Sequence, residues 1–219
     1  MTAAAVEVPK ANVTPIKTPI VPMKVGMFGP QGAGKSTSAA LLAAAISAQF
    51  YNRAPVYVVD PEAAWQFLNP VIFQAEGIEL IQRPFRAFTD MQASIDDAER
   101  RGACVWVIDP LTLMWNELMQ SFQQKNRGFI PIEKWGDIKA MWQDYIRRFL
   151  NSPMTCIACG RLGNEMEEVE DERKPGKTKL VKVGTKFKAG GGESFGYEPH
   201  LLLELSLERK AKKERGREI

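Results

Sequence analysis

Cysteine and long apolar runs are both scarce in this sequence. Three cysteines among 219 residues exclude a scaffold held together by disulfides, so the simplest environment for the chain is a reducing cytoplasm. The longest apolar run covers residues 39–46, far short of the roughly 18 residues of a membrane-spanning helix. No apolar block follows the first charges, which argues against a secretory signal. We therefore expect a cytoplasmic protein with no membrane association.

Charge of one sign is not in excess either. Lys and Arg number 29 against 26 Asp and Glu, and the hydrophobic fraction of 45% is typical of a globular domain. Residues 1–22 contain four prolines, which predicts a flexible N-terminal arm. Docking of this arm on a neighbouring subunit is the alternative. Residues 208–219 are predicted to form a charged C-terminal tail.

Between these ends, apolar segments alternate with segments of helical composition. Strands are predicted over residues 23–28, 55–60, 78–82, 103–109, 153–160 and 201–207, and helices over 35–50, 88–101, 111–124 and 132–151. The predicted strands are continuously apolar, as expected of strands buried on both faces of a sheet. The sequence therefore predicts an α/β fold over residues 23–207, with a mainly parallel sheet flanked by helices.

A β-hairpin is predicted as an insertion at about residues 162–189. Residues 165–172 include six acids and residues 173–188 include seven bases. Pro175-Gly176 between them is typical of a turn. A hairpin of these two segments is expected to set acidic side chains opposite basic ones.

One motif indicates phosphate binding. Residues 29–36 match G-x-x-x-x-G-K-[ST] at every fixed position, between an apolar strand and a helix. Glycines allow successive backbone N–H groups to face phosphate oxygens, Lys35 supplies a cation, and Ser36 supplies a hydroxyl to Mg²⁺. The predicted nucleotide-binding residues are Gly29, Pro30, Gln31, Gly32, Ala33, Gly34, Lys35, Ser36 and Thr37.

Two carboxylates follow other apolar strands. Asp109 ends the run V-W-V-I-D, and after a phosphate-binding loop such an acid is expected to hold Mg²⁺. Its alternative role is a helix cap. Glu62 follows a second apolar strand and is the candidate to orient or deprotonate an attacking water. The alternative is that Asp60 or Glu62 only caps the turn.

The order of these motifs resembles the RecA-like ATPase core and, more narrowly, the phage-encoded recombination ATPases of the AAA type. The loop is followed by V-D-P-E at 59–62, V-I-D at 107–109, W-G-D-I at 135–138, Gly160-Arg161 and G-Y-E-P at 196–199. The resemblance implies hydrolysis of ATP with Mg²⁺, coupled to single-stranded DNA in recombination or replication. It also implies rings or filaments of identical subunits, a single-strand binding protein as a possible partner, and the cytoplasm of a host cell.

The resemblance assigns roles to particular residues. Glu62 matches the catalytic glutamate, Asp109 the second metal-linked acid, and Arg161 a sensor at the end of a core strand. Residues 162–192 match a DNA-binding loop. The candidate DNA contacts there are Lys174, Lys177, Lys179, Lys182, Lys186 and Lys188. A solvated hairpin whose acids pair with its own bases is the alternative for these lysines.

Three weaker signals favour structural roles. Cys156 and Cys159 form C-x-x-C, but residues three apart in a strand point to opposite faces, which favours core over a metal or redox site. Trp65 and Trp106 are expected in the core. An aromatic stripe along residues 132–151 is expected to pack on the sheet, with a subunit interface as its alternative.

The leading hypothesis is therefore a RecA-like ATPase that acts on DNA. Two other functions use the same phosphate-binding loop. One is a phosphotransferase acting on a nucleotide or small molecule, and the other is a non-catalytic assembly module locked by nucleotide.

Overall fold

The computed structural model describes residues 21–85, 87–170, 177–188, 195–196 and 198–208. The strands are β1 (Lys24–Gly29), β2 (Val56–Val59), β3 (Leu80–Arg83), β4 (Val105–Ile108), β5 (Thr155–Glu170), β6 (Thr178–Lys188) and β7 (Leu201–Glu204). The α-helices are α1 (Lys35–Phe50), α2 (Trp65–Leu68), α3 (Phe88–Arg100), α4 (Leu111–Lys125) and α5 (Trp135–Asn151). The predicted arm, apart from residues 21 and 22, and the predicted tail, apart from residue 208, lie outside the described residues.

All of these strands belong to one seven-stranded sheet. Its order is β3-β2-β4-β5-β1-β7, with parallel pairing throughout this path, and β6 pairs antiparallel with β5 alone. Parallel neighbours require crossover connections, which the helices provide. The predicted α/β fold with an inserted hairpin is confirmed.

Helices cover both faces of the sheet. Trp106 of β4 lies in one core cluster with the stripe of α5, whose Trp142, Tyr145 and Phe149 are at most 1% exposed. The predicted packing of this stripe on the sheet is confirmed. The opposite cluster contains Trp65 together with Ala39, Ala40, Ala43 and Ala44 of α1. No helix within the described ranges has the length and apolar character needed to cross a bilayer.

Several element boundaries differ from those predicted. β5 was expected to end at Gly160 but continues to Glu170, because its polar outer half pairs with β6. The helix expected from residue 132 begins with a single 3-10 turn, Ile132–Lys134. A short helix after β2, continued by a π-helix over Asn69–Phe73, was not predicted. That segment has too few residues to show a helical period.

The hairpin register contradicts the expected pairing of acids with bases. Within the described strands, Glu167 lies opposite Val181, Glu168 opposite Leu180, and Lys179 opposite Val169. An aromatic contact lies where the hairpin leaves the sheet. A Cβ on Gly160 would lie 2.4 Å from the Phe187 ring, so only glycine allows that ring to cover the strand there. The contact fits the observed register, in which Phe187 lies opposite Leu162.

Candidate functional site

The predicted motifs meet at one edge of the sheet, where the carboxyl ends of β1, β2, β4 and β5 converge. Open parallel sheets bind their ligands at this edge. A cavity of about 760 Å³ opens there. Its lining consists of Gly29, Pro30, Gln31, Gly32, Gly34, Lys35, Ser36, Thr37, Glu62, Asp109, Pro110, Arg161 and Leu162. Every candidate nucleotide-site residue except Ala33 is therefore in this lining.

The loop between β1 and α1 forms one wall of the cavity. Gly32 and Gly34 have φ of 79° and 82°, in the left-handed region that glycine adopts without strain. The first turn of α1 has no side-chain cap and no acidic residue, so its free N–H groups and positive dipole end remain available to an anion. The Lys35 ammonium donates to the carbonyl oxygens of Gly29 and Pro30 at 3.0 and 2.8 Å. Lys35 thus lies across the loop at the cavity wall.

Asp109 also lines the cavity and lies directly after β4. Its carboxylate is only 5% exposed, and its Oδ2 accepts a hydrogen bond from the Trp65 indole Nε1 at 2.9 Å. Burial, followed by the negative charge of Asp109, raises the pKa of the neighbouring Cys159 thiol well above its usual value. Asp109 is therefore a buried acid whose orientation is restricted by a hydrogen bond. A carboxylate that only capped a helix would need neither the burial nor the bond to Trp65.

The two acids after β2 have different surroundings. Asp60 is 4% exposed and accepts hydrogen bonds from the backbone N–H groups of Glu62 and Trp65 at 3.0 and 2.8 Å. Burial raises the pKa of Asp60, a change that these two hydrogen bonds partly oppose. Asp60 therefore holds the turn, as one of the two alternatives expected. Glu62 is carried by that turn and lines the cavity.

Arg161 meets Glu62 across the cavity. The Arg161 guanidinium lies 3.2 Å from Glu62 Oε1, and both side chains are about half exposed, at 52% and 50%. An ion pair this exposed is weak and exchangeable, so a phosphate oxygen can replace the Glu62 carboxylate as the partner of Arg161. The structure brings the predicted sensor and the predicted catalytic glutamate into direct contact.

The base of the hairpin is tied to the start of α4, two residues after Pro110. The Thr112 hydroxyl accepts from the Arg161 backbone N–H at 3.1 Å and donates to the Lys188 carbonyl. Lys188 lies opposite Arg161 in the β5–β6 register. Thr112 therefore connects both hairpin strands to the segment that carries Asp109.

The candidate DNA-binding lysines follow β6 away from the cavity. Lys179, Lys182, Lys186 and Lys188 belong to this strand, Lys177 precedes it, and Lys174 lies outside the described residues. Lys186 and Lys188 are near the base, beside Arg161. Positive charge on the described strand is thus present both near the cavity and along the projecting hairpin.

The cysteine pair has the structural role that its spacing favours. Cys156 and Cys159 are both fully buried, and they belong to the core clusters on opposite faces of the sheet. Within the described ranges, no three His, Cys, Asp or Glu side chains come together as metal ligands. A metal or redox site at C-x-x-C is therefore not supported.

Sequence reasoning missed two polar contacts of the site. Trp65 was assigned to the core only, and Thr112 was not considered. Trp65 is the first residue of α2 and Thr112 is the second residue of α4. Each of these helices follows a strand that is succeeded by an acid. Their position just after a strand-end acid was the available signal, but neither belongs to a recognisable motif.

A glycine-rich loop at the start of α1, two strand-end acids and a parallel sheet define a P-loop NTPase with a RecA-like fold. The chain belongs to the AAA domain family, whose model matches residues 21–218. No curated protein matches the chain. Among solved structures, the KaiC-like protein PH0186 from the hyperthermophilic archaeon Pyrococcus horikoshii is similar in fold, with a TM-score of 0.51 and 15% sequence identity. The match covers 87% of this chain and 74% of that protein.

Proposed function

We propose that this P-loop NTPase hydrolyses ATP and couples hydrolysis to single-stranded DNA, in recombination or replication of the phage type. The observation that carries the proposal is the shared cavity. It places Lys35, Glu62, Asp109 and Arg161 around one space, and Arg161 is also the first residue of the projecting hairpin. One residue thereby joins the cavity, where ATP would be hydrolysed, to the hairpin, where DNA would bind.

The donors around the cavity fit a magnesium nucleotide. Mg²⁺ prefers oxygen ligands and is usually bound through one or two protein oxygens together with substrate phosphates. Ser36 and Asp109 line the cavity and supply such oxygens, and the uncapped start of α1 supplies N–H groups for the phosphates. When bound, Mg²⁺ would neutralise phosphate charge at the terminal phosphoryl group.

The side chains then divide the remaining work. Glu62 orients an attacking water and accepts its proton, because its carboxylate borders the cavity. Lys35 exchanges its two carbonyl partners for phosphate oxygens and neutralises charge that develops there. Arg161 exchanges Glu62 for the terminal phosphate, which frees the carboxylate for the water.

DNA contact would run along β6. A strand that projects beyond the sheet with repeated lysines can follow a phosphate backbone. Movement of Arg161 would reach this strand through Thr112, since both hairpin strands are hydrogen-bonded to that hydroxyl. Assembly into a ring or filament, with a single-strand binding protein as a partner, is part of the same proposal.

The test is ATP turnover by the purified chain with Mg²⁺, measured with and without single-stranded DNA. Wild type should hydrolyse ATP faster with DNA, and Lys35→Ala should abolish turnover in both conditions. Lys125→Ala is the matched control, because Lys125 lies at the end of α4 and is not part of the cavity lining. Turnover that survives Lys35→Ala, or no turnover in wild type, would reject the proposal.

A further inference from the structure

Trp65 makes two polar contacts that connect Asp60, which follows β2, with Asp109, which follows β4. Its backbone N–H donates to Asp60 Oδ2 at 2.8 Å, and its indole Nε1 donates to Asp109 Oδ2 at 2.9 Å. The side chain is fully buried. One residue therefore joins the turn that carries Glu62 to the carboxylate at the end of β4.

Packing alone does not explain an indole at this position. The ring stacks on Phe73, with centroids 5.9 Å apart and planes inclined by 27°, a contact that a phenyl ring can also make. The indole differs from phenyl in its larger fused ring and in one N–H, which points in one fixed direction. That N–H is bonded to Asp109, a carboxylate only 5% exposed.

The bond restricts the orientation of the Asp109 carboxylate. With Oδ2 engaged by the indole, rotation of the carboxyl group about its last bond costs a buried charge-assisted hydrogen bond. The same carboxylate lines the cavity and lies beside the Cys159 thiol. Hydrogen bonds of this kind to a ligating group are known to tune metal affinity.

We propose that Trp65 is a positioning residue for Mg²⁺, acting through Asp109 by orienting its carboxylate toward the cavity. The inference rests on the proposed function, since it concerns the ion that Asp109 would help to hold. It assigns no contact with substrate to Trp65. Removal of the indole N–H should weaken the Mg²⁺-dependent part of nucleotide binding and leave the Mg²⁺-free part unchanged.

The chain offers a closely matched control. Trp106 is also fully buried, and its indole Nε1 also donates to one side chain, Ser94 Oγ at 3.0 Å. Trp106→Phe therefore removes the same atoms and one buried hydrogen bond, in the other core cluster. Both substitutions should lower thermal stability by similar amounts, and only Trp65→Phe should alter the response to Mg²⁺.

The experiment titrates Mg²⁺ against binding of a fluorescent ATP analogue, read by anisotropy. For Trp65→Phe, the Mg²⁺ concentration that gives half of the effect should rise about 10-fold. For Trp106→Phe it should stay at the wild-type value. An equal shift in both variants, or none in Trp65→Phe, would overturn the inference while the wild-type binding curve still supports the proposed function. A wild type that does not bind the analogue would overturn both.

An isosteric replacement covers the case in which Trp65→Phe does not fold. Benzothienylalanine at position 65 keeps the shape of the bicyclic ring and exchanges the N–H for sulfur. It should reproduce the shifted Mg²⁺ dependence with little change in packing. A normal Mg²⁺ response with this residue would contradict the positioning role.

Discussion

The two halves of strand β5 differ in burial and in the strands with which they pair. Residues 155–160 are buried and pair with the parallel strands β4 and β1, whereas residues 161–170 are largely exposed and pair with β6, apart from Arg161, which also lies opposite Gly29 of β1. The inner half supports the cavity, and the outer half projects from it. The change falls at Gly160-Arg161, beside the candidate nucleotide site. A buried half and a solvent-exposed half thus meet beside the candidate nucleotide site.

The largest effect should come from a substitution in the cavity, beside the inner half of β5, and should be a loss of ATP turnover. Glu62→Gln removes the proposed base but keeps its size, so ATP turnover should fall at least about 100-fold. Binding of a fluorescent ATP analogue should persist. Glu76→Gln, the same change at an exposed residue away from the cavity, should retain wild-type turnover. Unchanged turnover in Glu62→Gln would exclude Glu62 as the base and leave it only as the ion-pair partner of Arg161.

The junction between the halves should be sensitive to volume. Phe187 is 8% exposed, and Phe187→Ala should lower the free energy of unfolding by about 3 kcal/mol. Gly160→Ala should cost about 1–3 kcal/mol, because its new methyl group meets the Phe187 ring. Denaturant titration of the double variant should give a loss smaller than the sum, since Phe187→Ala makes room for the methyl group. Additive losses would contradict the contact.

A matched glycine sharpens this test. Gly136 lies in α5 with open space where a Cβ would be. Gly136→Ala should raise the free energy of unfolding by about 0.5–1 kcal/mol. Opposite signs for the two glycine substitutions would confirm that close packing, rather than glycine as such, fixes the junction.

Coupling between the halves should be altered by a smaller change. Thr112→Val leaves the Arg161 N–H and the Lys188 carbonyl without the hydroxyl that joins them, at a cost of about 1–3 kcal/mol in stability. The ratio of DNA-stimulated to basal ATP turnover should fall, and Thr112→Ser should restore it. Full DNA stimulation in Thr112→Val would show that the hairpin is not coupled through this hydroxyl.

The smallest effect is expected in the outer half itself. Glu168 is exposed and lies opposite Leu180, so Glu168→Gln should change the free energy of unfolding by less than about 0.5 kcal/mol. A loss above about 1 kcal/mol would indicate stabilising charge pairs of the kind first expected for the hairpin.

The buried sheet, α1 and the phosphate-binding loop were predictable because local sequence patterns determine them. Continuous apolar runs predicted the buried strands, and α1 begins and ends where its composition indicated, at Lys35 and Phe50. The phosphate-binding loop was predicted because each of its residue types has a direct chemical purpose. Burial then distinguished Asp60, which accepts two backbone hydrogen bonds, from the half-exposed Glu62, a difference that sequence reasoning had left open.

The hairpin register and the polar contacts of Trp65 and Thr112 were less predictable because they involve residues that are distant in sequence. The acidic and basic blocks predicted acids opposite bases, but the observed register does not align them, and at its base the Phe187 ring covers Gly160. The bonds made by Trp65 and Thr112 join residues 44 to 76 positions apart. No local pattern marks such partners, since they become neighbours only when the sheet is assembled.

The most direct test of the account is a crystal structure of Glu62→Gln with ATP and Mg²⁺. The account predicts the triphosphate on the loop over residues 29–36, with Mg²⁺ at about 2.1 Å from the Ser36 hydroxyl oxygen and linked to Asp109 directly or through water. It also predicts a water between residue 62 and the terminal phosphate. A nucleotide bound elsewhere, or residues 62 and 109 turned away from the phosphates, would contradict it.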